Sequence, residues 1–255
     1  MIKSVMFDMG GTLEDIWVDA ESEKAAIVKL MEMLESYGFH IDMSYEDFKE
    51  EIDQGWVRYG LYRDATGIEC KPIEIWCDYI LKNFPFSRDL LEPHCEEIAH
   101  MWEITHYHRK LRPRVKEMLD ELRSMGLKLG VISNTAALYQ VFDSLKEYGI
   151  REYFSDVTLS SVTGMRKPGV DIFNVSLLQM QAAPEESAYI GDTISRDIIG
   201  SMKAGYGLSI QILSKLTREK DLGVDPKYIP PYRIEDIYDV AEIIRKVNET
   251  AAAAV

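Results

Sequence analysis

Hydrophobic positions along the chain follow two different spacings, and the change between them divides the sequence. The first apolar run, Ser4, Val5, Met6 and Phe7, has the length of a buried strand and stops at Asp8, Gly10 and Gly11. Helical spacing then takes over. Ile27, Leu30, Met31 and Leu34 recur three or four residues apart over 20–37, and Gly38 ends the run. Ser44, with Asp47 in a box-like position, opens a second helix bearing Tyr45, Phe48, Ile52 and Trp56 on one side. Further helices are predicted over 72–84 and 89–108, and 15–19 reads as a loop leading into the first helix. No strand is expected between residues 15 and 109.

The spacing changes again after Leu111. Pro113 starts a helix that Gly126 ends, and 128–132 is a compact apolar strand leading to Ser133 and Asn134. Short strands near 157–159, 188–190 and 208–212 alternate with helices over 137–148, from 170 and over 196–204. Residues 215–231 read as a charged, proline-bearing loop, 232–234 as an edge strand and 236–247 as a last helix, with 251–255 a frayed end. Strands alternating with helices imply a parallel sheet with crossover helices, so the chain is α/β. The first strand belongs to that sheet and a helical insert splits it from the rest.

Composition narrows the partners. The chain has 255 residues, 46% hydrophobic and 28% charged, with a formal charge of −14. A surface so acidic argues against nucleic acid and anionic membranes. A phosphate-bearing ligand therefore needs local cations or a metal. Cys70, Cys77 and Cys95 form no C-x-x-C pair, which suits reduced thiols in a cytoplasmic protein. Neither a signal peptide nor a membrane span is expected.

Each of four strands leads into a polar group: Asp8, Ser133, Lys167 in the loop after the third, and Asp192 with Asp197. Singly, each has an ordinary reading as a turn residue, helix cap or solvated charge. In a parallel sheet, however, all four ends share one edge. Carboxylates gathered there repel one another unless a lysine or a divalent ion neutralises them, and hard oxygen ligands suit Mg²⁺.

The series Asp8-Met9-Gly10-Gly11-Thr12, Ser133-Asn134, Lys167-Pro168 and Gly191-Asp192-(x)4-Asp197 resembles the four ordered motifs of the haloacid dehalogenase-like (HAD) hydrolase superfamily. The insert is similar to the helical cap of the subgroup that carries it after the first motif. The resemblance implies a Rossmann-like core of residues 1–15 and 111–255 with a helical cap of 16–110. It implies Asp8 as nucleophile, forming an aspartyl-phosphate, with Lys167 as its catalytic partner. Gly10, Gly11, Thr12, Ser133, Asn134 and Lys167 would bind phosphate. The Asp8 carboxylate, the Met9 carbonyl, Asp192 and Asp197 would hold Mg²⁺. The expected activity is a phosphatase acting on a small phosphorylated metabolite, as a monomer or homodimer.

One position departs from the pattern. Family phosphatases usually carry a second aspartate two residues after the nucleophile, as general acid and then base; here it is Gly10. Glu14, Asp15 and the histidines of the insert are candidates to handle the proton. Two other readings stay open: a weakly catalytic module that binds a phosphorylated ligand or a protein, and a phosphonate hydrolase needing a Schiff-base lysine such as Lys24, Lys29 or Lys49. In the insert, Arg58, Arg63, His100, His106 and His108 are candidate substrate contacts.

Overall fold

A computed structural model describes residues 1–214 and 221–253. Its frame is a six-stranded parallel sheet in the order β5-β4-β1-β6-β7-β8. The strands are β1 (Ser4–Phe7), β4 (Lys128–Ser133), β5 (Asp156–Leu159), β6 (Ser187–Gly191), β7 (Leu208–Ile212) and β8 (Tyr232–Ile234). β1 lies at the centre, with Phe7 in register with Val131 of β4 on one side and Ile190 of β6 on the other. The chain runs outward through β4 and β5, then returns to the other side of β1. That reversal creates a crevice at the carboxyl ends of β1, β4 and β6, where open α/β sheets hold ligands.

Both sheet faces are buried, which is why these strands read as continuous apolar runs. Val5, Phe7, Leu129, Val131, Ala188 and Ile190 face one core, while Met6, Ile132 and Tyr189 face the other. A third core holds the insert together around Trp76, Trp102, Phe48 and Ile52. Its first helices are α1 (Ala20–Ser36), capped by Asp19, and α2 (Tyr45–Thr66), capped by Ser44, whose hydroxyl accepts from Asp47 N at 3.1 Å.

The insert departs from the expected helices at three places. The loop expected over 15–19 instead contributes to strand β2 (Glu14–Trp17), antiparallel to β3 (His108–Leu111). This ribbon is the neck through which the chain leaves and re-enters the core. Its strands carry Glu-Asp-Ile-Trp and His-Arg-Lys-Leu, whose polarity hides them from a hydrophobic pattern. They are held by cross-strand partners instead, including Trp17 stacked on His108 with ring centroids 5.2 Å apart. The helix expected over 72–84 becomes one turn, Pro72–Glu74, followed by a π-helical segment, Ile75–Ile80. The one expected over 89–108 is broken at Glu92–His94 and resumes as Cys95–His106.

In the core, the helix expected from 137 begins at Gln140, and the last helix, expected over 236–247, runs from Asp239 to Ala253, into the expected frayed end. Part of the expected loop over 215–231 lies outside the described residues. Among the described residues no helix is long and apolar enough to cross a membrane.

Candidate active site

Lys167 is the hub of the crevice. Its Nζ reaches Asp8 Oδ1 at 2.6 Å, Asp197 Oδ1 at 2.7 Å, the Ile132 carbonyl at 3.0 Å and the Tyr189 hydroxyl at 2.9 Å. Asp8 is 7% exposed and Lys167 is 4% exposed, so these charges interact with little screening. Burial alone would discharge the lysine, but Asp197 and Asp8 outweigh it and raise its pKa, keeping it an ammonium. Burial likewise raises the Asp8 pKa, with Lys167 opposing it. Asp197 ends lower: burial works against ionisation, yet Lys167, Arg196 and Thr193 together bring it to about 2.

The backbone explains how each group arrives. Asp8 is the first residue beyond β1, and its amide donates to the Ile190 carbonyl at 2.9 Å. Lys167 sits in the loop after β5, where the Asn134 side chain clamps its backbone: Nδ2 donates to Lys167 O at 3.1 Å and Oδ1 accepts Lys167 N at 3.0 Å. Asp197 lies in a π-helical turn, Ile194–Ile198, that precedes the expected helix. Its Oδ2 accepts from the Thr193 amide at 3.0 Å and the Thr193 hydroxyl at 2.5 Å. Asp192, just past β6, accepts from the Ser214 hydroxyl at 2.7 Å.

Carboxylate oxygens of Asp8, Asp192 and Asp197 lie within 4.8 Å of one another, all buried. One ammonium cannot balance three carboxylates at that spacing, and their donor set fits a hard divalent cation such as Mg²⁺. The Met9 carbonyl is a different matter. It already accepts from the amides of Thr12, Leu13 and Glu14 at 3.2, 2.9 and 3.2 Å, so it is turned into its own loop. That removes Met9 from the expected ligand set.

A cavity of about 730 Å³ opens from this cluster toward the insert. Gly10, Ser133, Asn134 and Lys167 line it, and the Asn134 side chain is spent on positioning Lys167. Gly11 and Thr12 do not line it. The Gly11 amide donates to Glu14 O at 2.8 Å, and the Thr12 hydroxyl faces Asp8 Oδ2 at 3.4 Å. Gly11 is needed as glycine for another reason: its φ is +93°, and any Cβ there would run into the Asp192 carboxylate.

The proton-handling candidates are also sorted by geometry. Glu14 is fully buried and bound to Arg109 at 2.5 Å and the Tyr148 hydroxyl at 2.8 Å, off the cavity. Asp15 pairs with Arg112 at 3.1 Å. Of His100, His106 and His108, His106 lines the cavity, whereas His108 pairs with Asp19 and His100 lies 3.8 Å from Asp143. Arg58 is consumed by Glu51 and the Tyr79 carbonyl, while Arg63 lines the cavity. Tyr189 and Arg196 carry no motif and were not anticipated. A tyrosine inside a fully buried strand was the available signal, because its hydroxyl needs a partner.

Relatives carry the same framework. A family model described as haloacid dehalogenase-like hydrolase matches residues 5–209. A glyceraldehyde 3-phosphate phosphatase of Methanothermobacter thermautotrophicus is 33% identical over 250 residues, covering 96% of this chain and 100% of that protein. One from Methanopyrus kandleri is 26% identical over 262 residues, covering 97% and 99%. The fold matches a solved 2-haloacid dehalogenase from Pseudomonas syringae with a TM-score of 0.68, at 20% identity and covering 96% and 99% of the two chains. With the family model spanning most of its length and this cluster at the ends of its central strands, the chain belongs to the haloacid dehalogenase-like hydrolases.

Proposed function

We propose that this protein is a Mg²⁺-dependent phosphatase for a small phosphorylated metabolite, working through an aspartyl-phosphate on Asp8. The observation that carries this reading is the Lys167 ammonium held between Asp8 and Asp197, with Asp192 close by, at the floor of a cavity. Phosphoryl transfer asks mainly for positioning and charge neutralisation, and this arrangement provides both. The names of the relatives support it and point toward three-carbon substrates.

Asp8 attacks phosphorus, the ester P–O bond breaks, and the leaving oxygen takes its proton from water, since Gly10 offers none. A second water then attacks the phosphorus of the aspartyl-phosphate and gives up a proton to the hydroxide left by the first; the P–O bond to Asp8 breaks, inorganic phosphate leaves and the Asp8 carboxylate is restored. Lys167 and Ser133 hold the phosphoryl oxygens meanwhile, and Arg196 adds positive charge beside them. Asp8, Asp192 and Asp197 would hold Mg²⁺, which when bound would supply further neutralisation of the phosphoryl charge.

Phosphonate cleavage finds less support. None of Lys24, Lys29 and Lys49 lines the cavity, and Lys49 is paired with Asp53 and Glu23. Release of phosphate from an activated aryl phosphate tests the proposal. Wild-type protein should need Mg²⁺, lose activity with a chelator, and fall by several orders of magnitude on Asp8→Asn. Activity that survives Asp8→Asn rejects it.

A further inference from the structure

Five basic side chains line the cavity, Arg63, Arg109, Arg166, Lys167 and Arg196, and their pairing is unequal. Arg109 is neutralised by Glu14 and Glu103, each at 2.5 Å, and Arg166 by Glu69. Lys167 is neutralised by Asp8 and Asp197. Arg196 lies at the nucleophile end, where its charge acts on both Asp8 and Asp197, behind burial and Lys167 in size. Arg63 projects from α2 in the insert, and its place in the ledger is different.

The Arg63 Nε is buried and makes no hydrogen bond among the described residues. Its nearest carboxylate oxygen among the described residues is 3.6 Å away, on Asp64, whose side chain is 78% exposed against 37% for Arg63 itself. Two further buried nitrogens on the same cavity wall make no hydrogen bond either, Trp56 Nε1 and His106 Nδ1. Around them the wall is largely aromatic, with Asp53, itself paired to Lys49, also on the lining. Trp56 lies 5.5 Å from Trp102, on which His106 stacks at 4.8 Å. Apolar walls strengthen the field of a guanidinium, and buried polar groups without partners cost stability unless a ligand satisfies them.

We propose that Arg63, which shares the cavity lining with Trp56 and His106, forms a second oxyanion subsite in the insert. The substrate then carries an anionic group, a carboxylate or a second phosphate, at the end remote from the scissile phosphoryl group. This rests on the reading of the Asp8 end as the phosphoryl site. It also separates this protein's substrate from glyceraldehyde 3-phosphate, whose far end is an uncharged carbonyl. A charge-assisted pair to a fixed guanidinium is the interaction that makes such a distinction.

Equilibrium binding to the Asp8→Asn protein tests the subsite without depending on turnover. The probes are a homologous series of ω-phosphorylated carboxylic acids, the matching phosphorylated alcohols and the matching bisphosphates. Acids or bisphosphates of the right length should bind about ten- to a hundredfold more tightly than the alcohols. Preference for the acid assigns a carboxylate to the subsite, and preference for the bisphosphate assigns a phosphate. Arg63→Met should abolish the preference, and Arg63→Lys should restore part of it. Equal binding of acids and alcohols overturns the proposal. So does an Arg63→Met variant that weakens all three series alike, because Arg63 would then serve the scissile phosphoryl group. Anion preference without turnover in the wild type fails the phosphatase reading alone, whereas turnover without anion preference fails the subsite alone.

Discussion

At Gly10 a Cβ atom would meet only Ile16 at 3.7 Å and a Glu14 oxygen at 3.9 Å, both ordinary contacts. The position lacks a carboxylate but has room for one. Gly10→Asp should therefore fold, and the neighbouring Glu14 carboxylate would favour its protonated form. We expect the rate on poor leaving groups to rise by up to about 10²–10⁴-fold, the usual worth of general acid–base help. Activated aryl phosphates should gain far less, and equal gains on both substrates would reject a missing proton donor as the limit. Much of this residue-level picture was legible in the sequence. Asp8, Ser133 and Asp192 stand at strand ends, and Lys167 and Asp197 in the segments that follow β5 and β6, a local signal. The roles of Met9, Gly11, Thr12 and Asn134 were not legible, because each depends on where its hydrogen bonds go.

Among the elements, α2 and the π-helical segment Ile75–Ile80 show what packing adds to pattern. Gly55 sits in the middle of α2, where propensity disfavours it. A Cβ there would lie 2.6 Å from Ile80 Cα and 2.8 Å from its carbonyl oxygen. The glycine is what lets the two backbones touch. Gly55→Ala should destabilise the protein by about 1–3 kcal/mol despite the better helix former. Urea unfolding would measure this, and a stabilised variant would show that the contact yields freely. The strands β2 and β3 went unseen for a related reason. Four-residue polar segments have no hydrophobic period, and only their juxtaposition across some 90 intervening residues makes them a ribbon.

Across the whole molecule, Glu69 ties the insert to the core. Its buried carboxylate accepts from the Tyr59 hydroxyl in the insert, from the Ser160 hydroxyl of the core at 2.6 Å, and from the Arg166 guanidinium. Its amide also donates to the Gly164 carbonyl at 3.0 Å. Glu69→Gln removes the charge and leaves Arg166 without its carboxylate. The expected cost is about 3–5 kcal/mol, the usual result of breaking one side of a buried ion pair. An unchanged unfolding midpoint would show that this clamp contributes nothing. The alternation of strand and helix, the split of the first strand from its sheet, and the ordered acids and lysine follow from the sequence alone. They depend on neighbours a few positions apart, where periodicity and turn chemistry act. Which charges are neutralised and which face the cavity only the tertiary structure decided. Lys167 meets Asp8 across 159 positions, and Arg63 stands apart from every buried carboxylate that satisfies its neighbours. Such pairings are set by three-dimensional distance and burial, which no local pattern encodes.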